Sequence, residues 1–188
     1  QIPRSAMNFE FFAEFISQAS SPVFDQNPDY ITYVRREPVG VAGLIAPWNA
    51  PMALATMKVA GAIAFGNSCL LKPSELTPLG FIPFMNLLSK AGLPDGVVNM
   101  VNGRGGVTGA AMTQEEDIDL IAFTGGTETG RLIASEAGKT LKKTVTELGG
   151  KSANIIFSDA DFERALDAAL VAIFSNNGQQ CLAGSRIL

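Results

Sequence analysis

Two cysteines, Cys69 and Cys181, sit in contrasting company. Cys69 lies between Ser68 and Leu70 in an apolar run, the setting of a thiol that serves as a small hydrophobe. Cys181 lies in Asn177-Gly178-Gln179-Gln180-Cys181-Leu182-Ala183-Gly184, a polar loop flanked by glycine, where a thiolate can form and be reached. A nucleophile of this kind needs a base and a donor for the oxyanion it creates. The chain has no histidine, which excludes Ser-His-Asp and Cys-His triads and any histidine-ligated metal within it, so no metal site is expected. Among the remaining residue types, Glu147 ends an apolar run before Leu148-Gly149-Gly150, where a partly buried carboxylate with a raised pKa can act as a general base. Asn49 follows Trp48 and precedes Pro51, and its amide can donate to an oxyanion at a strand end. The plain alternatives are a surface carboxylate and an asparagine that closes a turn.

A second group of residues suits a nucleotide. Phe123-Thr124-Gly125-Gly126-Thr127-Glu128-Thr129-Gly130 leaves a strand and enters a helix. Glycines there let backbone N–H groups approach a pyrophosphate, whose charge the helix N-terminus favours. Lys72 and Glu75 stand just past another strand, in Lys72-Pro73-Ser74-Glu75. Both can hydrogen-bond ribose hydroxyls, and a carboxylate near the 2′-oxygen repels a 2′-phosphate, favouring NAD over NADP. Alone, the pair also reads as a surface lysine and a helix N-terminal acid. No G-x-x-x-x-G-K-[ST] is present, which removes the P-loop nucleotide triphosphatases.

These residues need a frame. Apolar residues at helical spacing predict a helix over residues 6–19, followed by a loop from Ser20 to Asp29 and a strand from Ile31 to Arg36. Short apolar runs then alternate with helical stretches. The runs are Val41–Ala46, Cys69–Leu71, Val97–Val101, Leu120–Thr124, Thr144–Thr146 and Ile155–Phe157. The helices are Met52–Phe65, Leu79–Lys90, Val107–Thr113, Glu128–Gly138 and Asp161–Ser175, with Gly92 closing one and Ser158-Asp159-Ala160-Asp161 capping the last. This alternation predicts an α/β, doubly wound, mostly parallel sheet covered on both faces. Ligands gather at the carboxyl ends of such strands, and the loops there hold most of the unusual residues in the chain.

Composition narrows the partners. Of 188 residues, 47% are hydrophobic and 17% charged, which is a globular interior. A net charge of −4 argues against nucleic acid. The longest apolar candidate for a membrane span, Val39 to Phe65, is broken by Pro47, Asn49, Pro51 and Lys58. Two cysteines do not form a disulfide framework, which favours a reducing, cytoplasmic compartment. The first residue is Gln1 and the last run, Arg186-Ile187-Leu188, reads as a strand just beginning, so both ends are expected to be cuts in a longer protein.

Taken together, Pro47-Trp48-Asn49, Lys72-Pro73-Ser74-Glu75, Phe123-Thr124-Gly125, Glu147-Leu148-Gly149-Gly150-Lys151-Ser152 and Gly178-Gln179-Gln180-Cys181 resemble the signatures of the aldehyde dehydrogenase superfamily, in its order and spacing, from about Val34 to Leu188. The resemblance implies a Rossmann-like NAD-binding domain over 1–150 and the start of a second α/β, catalytic domain over 151–188. It implies NAD as cofactor, an aldehyde as substrate, and a homo-oligomer for the full-length protein. By this resemblance Cys181 is the nucleophile, Glu147 the base that hydrolyses a thioester, and Asn49 with the Cys181 N–H the oxyanion hole. Lys58 matches a lysine close to the site, with a solvated helix lysine as the alternative. For the cofactor it implies Ala46, Pro47 and Trp48 after the first run, Lys72, Ser74 and Glu75 at the ribose, Gly105 near the adenine, Gly125, Gly126 and Gly130 at the phosphates, and Leu148. Many relatives have Ser where this chain has Gly126, so one hydroxyl donor is missing. Gly125-Gly126-Thr127-Glu128-Thr129-Gly130-Arg131 and Phe174-Ser175-Asn176-Asn177-Gly178 are most similar to dehydrogenases of hydroxymuconic-type semialdehydes. The 188 residues alone are expected to be inactive. Two competing readings stand beside this one: a cofactor-binding segment without chemistry, and an acyl-CoA or acyl-phosphate reductase, which Glu147 argues against because a hydrolytic base would waste the thioester.

Overall fold

The computed structural model describes residues 1–188. The chain opens with helix α1 (Ile2–Gln18) and a hairpin of β1 (Val23–Asn27) and β2 (Tyr30–Tyr33). The main sheet is then built from β3 (Val41–Ile45), β4 (Ser68–Lys72), β5 (Val98–Met100), β6 (Leu120–Gly125) and β7 (Lys143–Leu148). Its connections carry α2 (Pro51–Ala64), α3 (Phe81–Lys90), a π-helical turn (Gly105–Gly109) leading into α4 (Ala110–Gln114), and α5 (Thr127–Gly138). Beyond β7 come β8 (Ala153–Asn154), α6 (Phe162–Phe174), a short turn over Ser175–Gly178 and β9 (Arg186–Ile187).

The five strands are all parallel and lie in the order β5-β4-β3-β6-β7. Strand β3, first in sequence, is at the centre, and the chain winds outward to one side and then the other. That reversal makes a crevice at the carboxyl ends of β3 and β6, where doubly wound sheets bind their ligands. Alternation along β3 supplies both cores. Ala42, Leu44 and Ala46 join Cys69, Leu71, Val59 and Phe81 on the side of α2 and α3. Ile45 joins Ile121, Phe123, Met112 and Ile133 on the side of α4 and α5. Leu44, Leu71 and Ile121 are at most 1% exposed, and each contributes roughly 1.5–3 kcal/mol by burial.

The helix ends follow from local chemistry. Pro51 starts α2, where its missing N–H costs nothing. Gly92, at φ +85°, ends α3 in the left-handed conformation. Asp161 caps α6 by accepting the Arg164 N–H at 3.2 Å. No helix is long and apolar enough to cross a membrane.

Two local expectations are corrected. Residues 20–29 are not only loop, because Val23–Asn27 pairs antiparallel with Tyr30–Tyr33. The register slips between Phe24 and Asn27, and nearly every residue of both strands is exposed. With no buried face, the period-2 signal that marks a strand is absent. The apolar run Ile155–Phe157 is not a strand either. The ladder forms two residues earlier, Ala153 with Arg186 and Asn154 with Ile187, and leaves Ile155 and Phe157 exposed.

The start of β3 depends on Gly40, which sits at φ +128°. A Cβ there would collide with the Asp119 carboxylate, which accepts the Val41 N–H at 2.8 Å and so ties β3 to the entry of β6. Gly40→Ala is expected to lower stability by about 2 kcal/mol through strain and loss of that bond. An unchanged urea midpoint would refute this account of the junction.

Candidate functional site

The rim formed by the carboxyl ends of the strands carries two clusters. The first lies beyond β4 and β5. Lys72 ends β4 and is only 2% exposed, which overturns the reading of a surface lysine. Its ammonium donates to Pro73 O at 3.2 Å and stands 3.7 Å from Glu75 Oε2. The other oxygen of Glu75 accepts the Gly105 N–H at 3.3 Å. Glu75's own backbone N–H, then that of Gly105, and then Lys72 hold this carboxyl below its ordinary range. The lysine, the acid and the glycine therefore form one connected edge across two strands. Ser74, also buried, accepts the Leu76 N–H and closes the turn between Lys72 and the acid.

Beside this edge is a cleft lined by Ile45, Gly105, Gly109, Phe123, Thr129 and Leu132. Across it, Gly126 caps α5 at its N-terminus. A Cβ on Gly126 would meet nothing within 4 Å, so the approach to the first N–H groups of α5 is open. The first-turn acid Glu128 is paired with Arg131 at 2.9 Å, which limits its opposition to an anion there. Gly125 is required by the strand itself, because a Cβ would strike the Phe123 ring. Gly130 and Leu148 face each other inside the fold, where a Cβ on Gly130 would fall 2.5 Å from Leu148 Cδ2. They set the closeness of α5 to β7 and stand behind the rim. Ala46 is buried and donates its N–H to Lys72 O at 3.0 Å, whereas Trp48, beyond Pro47, is half exposed.

The second cluster joins residues far apart in sequence. Asn49 Nδ2 donates to Gln179 O at 2.8 Å, across 130 residues, and Asn49 Oδ1 accepts the Ala50 N–H at 3.1 Å. These two bonds fix the amide plane and leave one N–H of Nδ2 uncommitted. Cys181 is exposed two residues past Gln179, while Cys69 is buried, and burial pushes its thiol up to about 12. A thiol in that state stays protonated and inert at neutral pH. The Gly149-Gly150 turn after β7 passes close by, since a Cβ on Gly150 would lie 3.2 Å from Cys181 O.

Glu147 lies two residues before that turn, opposite Thr124 in the register of β6 and β7. It is exposed, which corrects the expectation of a partly buried acid: β7 is the edge strand of the main sheet, and Lys143–Glu147 are all exposed. Lys58 occupies the inner face of α2 and shares a cleft with Glu147, Leu44, Ala122 and Val145. It is not a solvated helix lysine. Burial lowers its ammonium to about 8 from 10.5, and the charge of Glu147 pulls it partway back. Asn176, which enters the sequence analysis only as part of the Phe174–Gly178 segment and with no role of its own, also reaches this cluster through its amide; the Asn-Asn-Gly turn is its one local signal. No group of three or more His, Cys, Asp or Glu residues is gathered as a metal would require.

The lowered Lys58 ammonium has a sign that can be checked. Below pH 8 the folded and unfolded chains both hold the proton, and the burial penalty is fully present. Between pH 8 and 10.5 the unfolded chain alone holds it, so stability rises through that window. At about 1.4 kcal/mol per pH unit the gain is at most roughly 3 kcal/mol. Lys58→Met should lack this increment in denaturant unfolding at pH 7 and pH 10. Equal gains in both proteins would sink the assignment.

The family model for the aldehyde dehydrogenase family matches residues 1–188. The chain is 50% identical over 186 residues to 5-carboxymethyl-2-hydroxymuconate semialdehyde dehydrogenase of Escherichia coli, covering 99% of this chain and 39% of that protein. It is 49% identical over 169 residues to betaine aldehyde dehydrogenase of Bacillus subtilis, covering 90% of this chain and 34% of that one. Its fold superposes with a TM-score of 0.96 on an NAD+ complex of aldehyde dehydrogenase from Bacillus cereus, at 42% identity, over 99% of this chain and 38% of the other. The chain thus spans well under half the length of the relatives it matches. With the parallel sheet, the lysine–glutamate edge and the amide beside the exposed cysteine already in place, these matches show that the chain belongs to the aldehyde dehydrogenase family.

Proposed function

We propose that this chain supplies the cofactor rim and the nucleophile of an NAD-dependent aldehyde dehydrogenase, which oxidises an aldehyde to its carboxylic acid through a thioester on Cys181. The observation that carries the reading is the Asn49–Gln179 hydrogen bond, which puts a side-chain amide donor on the loop of the exposed cysteine. In this reading residues 1–150 form the cofactor unit and residues 151–188 open the catalytic one.

The rim suits a dinucleotide. A buried ammonium at Lys72 beside the fixed carboxylate of Glu75 offers a donor and an acceptor to ribose hydroxyls. The glycine-capped end of α5 is open to a phosphate, and the cleft past Gly105 has the apolar lining a base needs. A dinucleotide held there by Lys72, Glu75 and the α5 N-terminus would supply the acceptor for the hydride that leaves the substrate carbon.

The chain's own residues do the rest. The Cys181 thiolate attacks the aldehyde carbon, a C–S bond forms, and the carbonyl oxygen takes the charge. The free N–H of Asn49 and the backbone N–H of Cys181 stabilise that oxyanion, at roughly 3–4 kcal/mol per donor. Loss of hydride restores the carbonyl as a thioester. Glu147 then takes a proton from water, the hydroxide adds to the thioester carbon, and the C–S bond breaks to release the acid and the thiolate. An exposed carboxylate is well placed to pass that proton to solvent, and Lys58, neutral above about pH 8, offers a second acceptor beside it. The substrate class we propose is a carboxylate-bearing semialdehyde, on the strength of the Escherichia coli relative and the 125–131 and 174–178 segments.

Experiments on the polypeptide that carries this segment test the reading. Across a panel of aldehydes that includes such a semialdehyde and betaine aldehyde, the semialdehyde should give the highest kcat/KM. Cys181→Ser should abolish turnover on all of them, and full activity in that variant ends the mechanism. Glu147→Gln should show a burst of NADH followed by slow turnover, whereas loss of the burst would move Glu147 to activation of the thiol. For the cofactor, Glu75→Gln should narrow the preference for NAD over NADP by removing the repelling charge. A wild-type protein that used both equally would show the role of Glu75 to be wrong.

A further inference from the structure

A second side-chain amide stands between Asn49 and Cys181. Asn176 Nδ2 donates to Asn49 O at 3.2 Å and to Gln179 O at 3.4 Å. Asn49 Nδ2 donates to the same Gln179 O at 2.8 Å. Two side-chain amides therefore converge on one carbonyl, two residues before the proposed nucleophile. Each also grips the other's loop, so that two bonds join the end of β3 to the turn after α6 and a third braces the turn itself.

That turn would not keep its shape unaided. Asn176, Asn177 and Gly178 have φ of 52°, 56° and 72°, three left-handed residues in a row. Each non-glycine residue there costs on the order of 1 kcal/mol, least for asparagine. Such a conformation persists only where its surroundings over-determine it. Here Asn176 binds forward to Gln179 O and outward to Asn49 O, across the strained stretch. The Asn49 amide in turn keeps its plane only while Gln179 O stays in place, because that carbonyl takes one of its two N–H groups.

We propose that Asn176 is a positioning residue for the oxyanion donors. It touches no substrate. It fixes Gln179 O, Gln179 O orients Asn49 Nδ2, and the same pinned loop sets the direction of the Cys181 N–H. The inference rests on the reading of Cys181 and Asn49 given above.

The test separates the amide from the backbone. Asn176→Gly keeps a residue that favours positive φ and deletes only the amide. In the complete enzyme its kcat for aldehyde oxidation should fall roughly 10- to 100-fold, the scale of a misplaced oxyanion donor. KM for NAD should stay within about twofold, since the cofactor edge at Lys72 and Glu75 is untouched. In an Asn49→Ala background the same change should cost less than about threefold, because the donor it orients is gone. Asn177→Gly, at the neighbouring left-handed position, should keep its rate. Should Asn176→Gly fail to fold, Asn176→Asp preserves shape and conformation while removing the donors, and should show the same dependence on Asn49. Undiminished kcat, equal fold-losses in both backgrounds, or an equal loss in Asn177→Gly would each overturn the proposal. If Asn49→Ala alone leaves kcat unchanged, the underlying reading of the site fails instead, and the two failures are thereby told apart.

Discussion

Parallel strands cannot be joined by tight turns; each must cross back over the sheet before the next begins. All five strands of the main sheet therefore release the chain at one rim, and the residues that follow them are neighbours whatever their separation in sequence. Glu75 meets the Gly105 N–H across 30 residues for this reason, and Asn49, on the same rim, is met by Gln179 from the turn after α6, across 130. The placement of β3 at the centre adds the crevice, because the connections from β3 and β6 diverge to opposite faces. The small inner residues Ala42 of β3 and Ala46 just past its end let α2 lie close against the strand. Strand order thus decides which loops can share a ligand, and side chains only decide which ligand.

Within that frame a buried lysine and a half-buried one are handled differently. Lys72 is almost wholly enclosed but has a carbonyl at 3.2 Å and a carboxylate at 3.7 Å, so its charge is matched locally. Lys58 has no ion-pair partner within bonding distance and feels only the more distant field of Glu147, so desolvation wins and the ammonium falls to about 8. The first arrangement sets a donor and an acceptor side by side for a polar ligand. The second suits a group that exchanges a proton near neutral pH.

Much of this was legible in the chain. The alternation from Val41 to Leu148 is long and regular, so the parallel sheet, its core and the loops at its rim could be read from periodicity and caps. Cys69 and Cys181 were separable by their neighbours alone. Legibility failed where structure depends on partners rather than on local pattern. The β1–β2 hairpin has no buried face to print an alternation, and Ile155–Phe157 carries a strand's composition with the ladder elsewhere. The burial of Lys72 and the partial burial of Lys58 were invisible because a lysine's sequence neighbours say nothing about the elements laid over it. The exposure of Glu147 was likewise a property of its place on an edge strand, and Asn176 gave no sign that its amide would reach across to Asn49.

Asn49 is also held from behind. The Asn8 amide of α1 donates to Ala53 O at 2.8 Å and to Thr56 Oγ1 at 3.1 Å, while Thr56 Oγ1 donates back to Met52 O at 2.8 Å. Gln1 Oε1 accepts the Met52 N–H at 3.1 Å, filling the place of a cap that Ala50 cannot provide. These bonds hold the first turn of α2 against α1 in a largely apolar interface, where a polar group without a partner would cost about 1–3 kcal/mol. They therefore specify one register between the helices, which hydrophobic contact alone would leave loose. Because Asn49 precedes that turn by two residues, its backbone inherits the register. Its side chain is then oriented from the other direction by Gln179. An amide whose backbone is set by one helix pair and whose plane is set by a distant carbonyl has little freedom left, which is the condition for a donor that must be in place before charge develops.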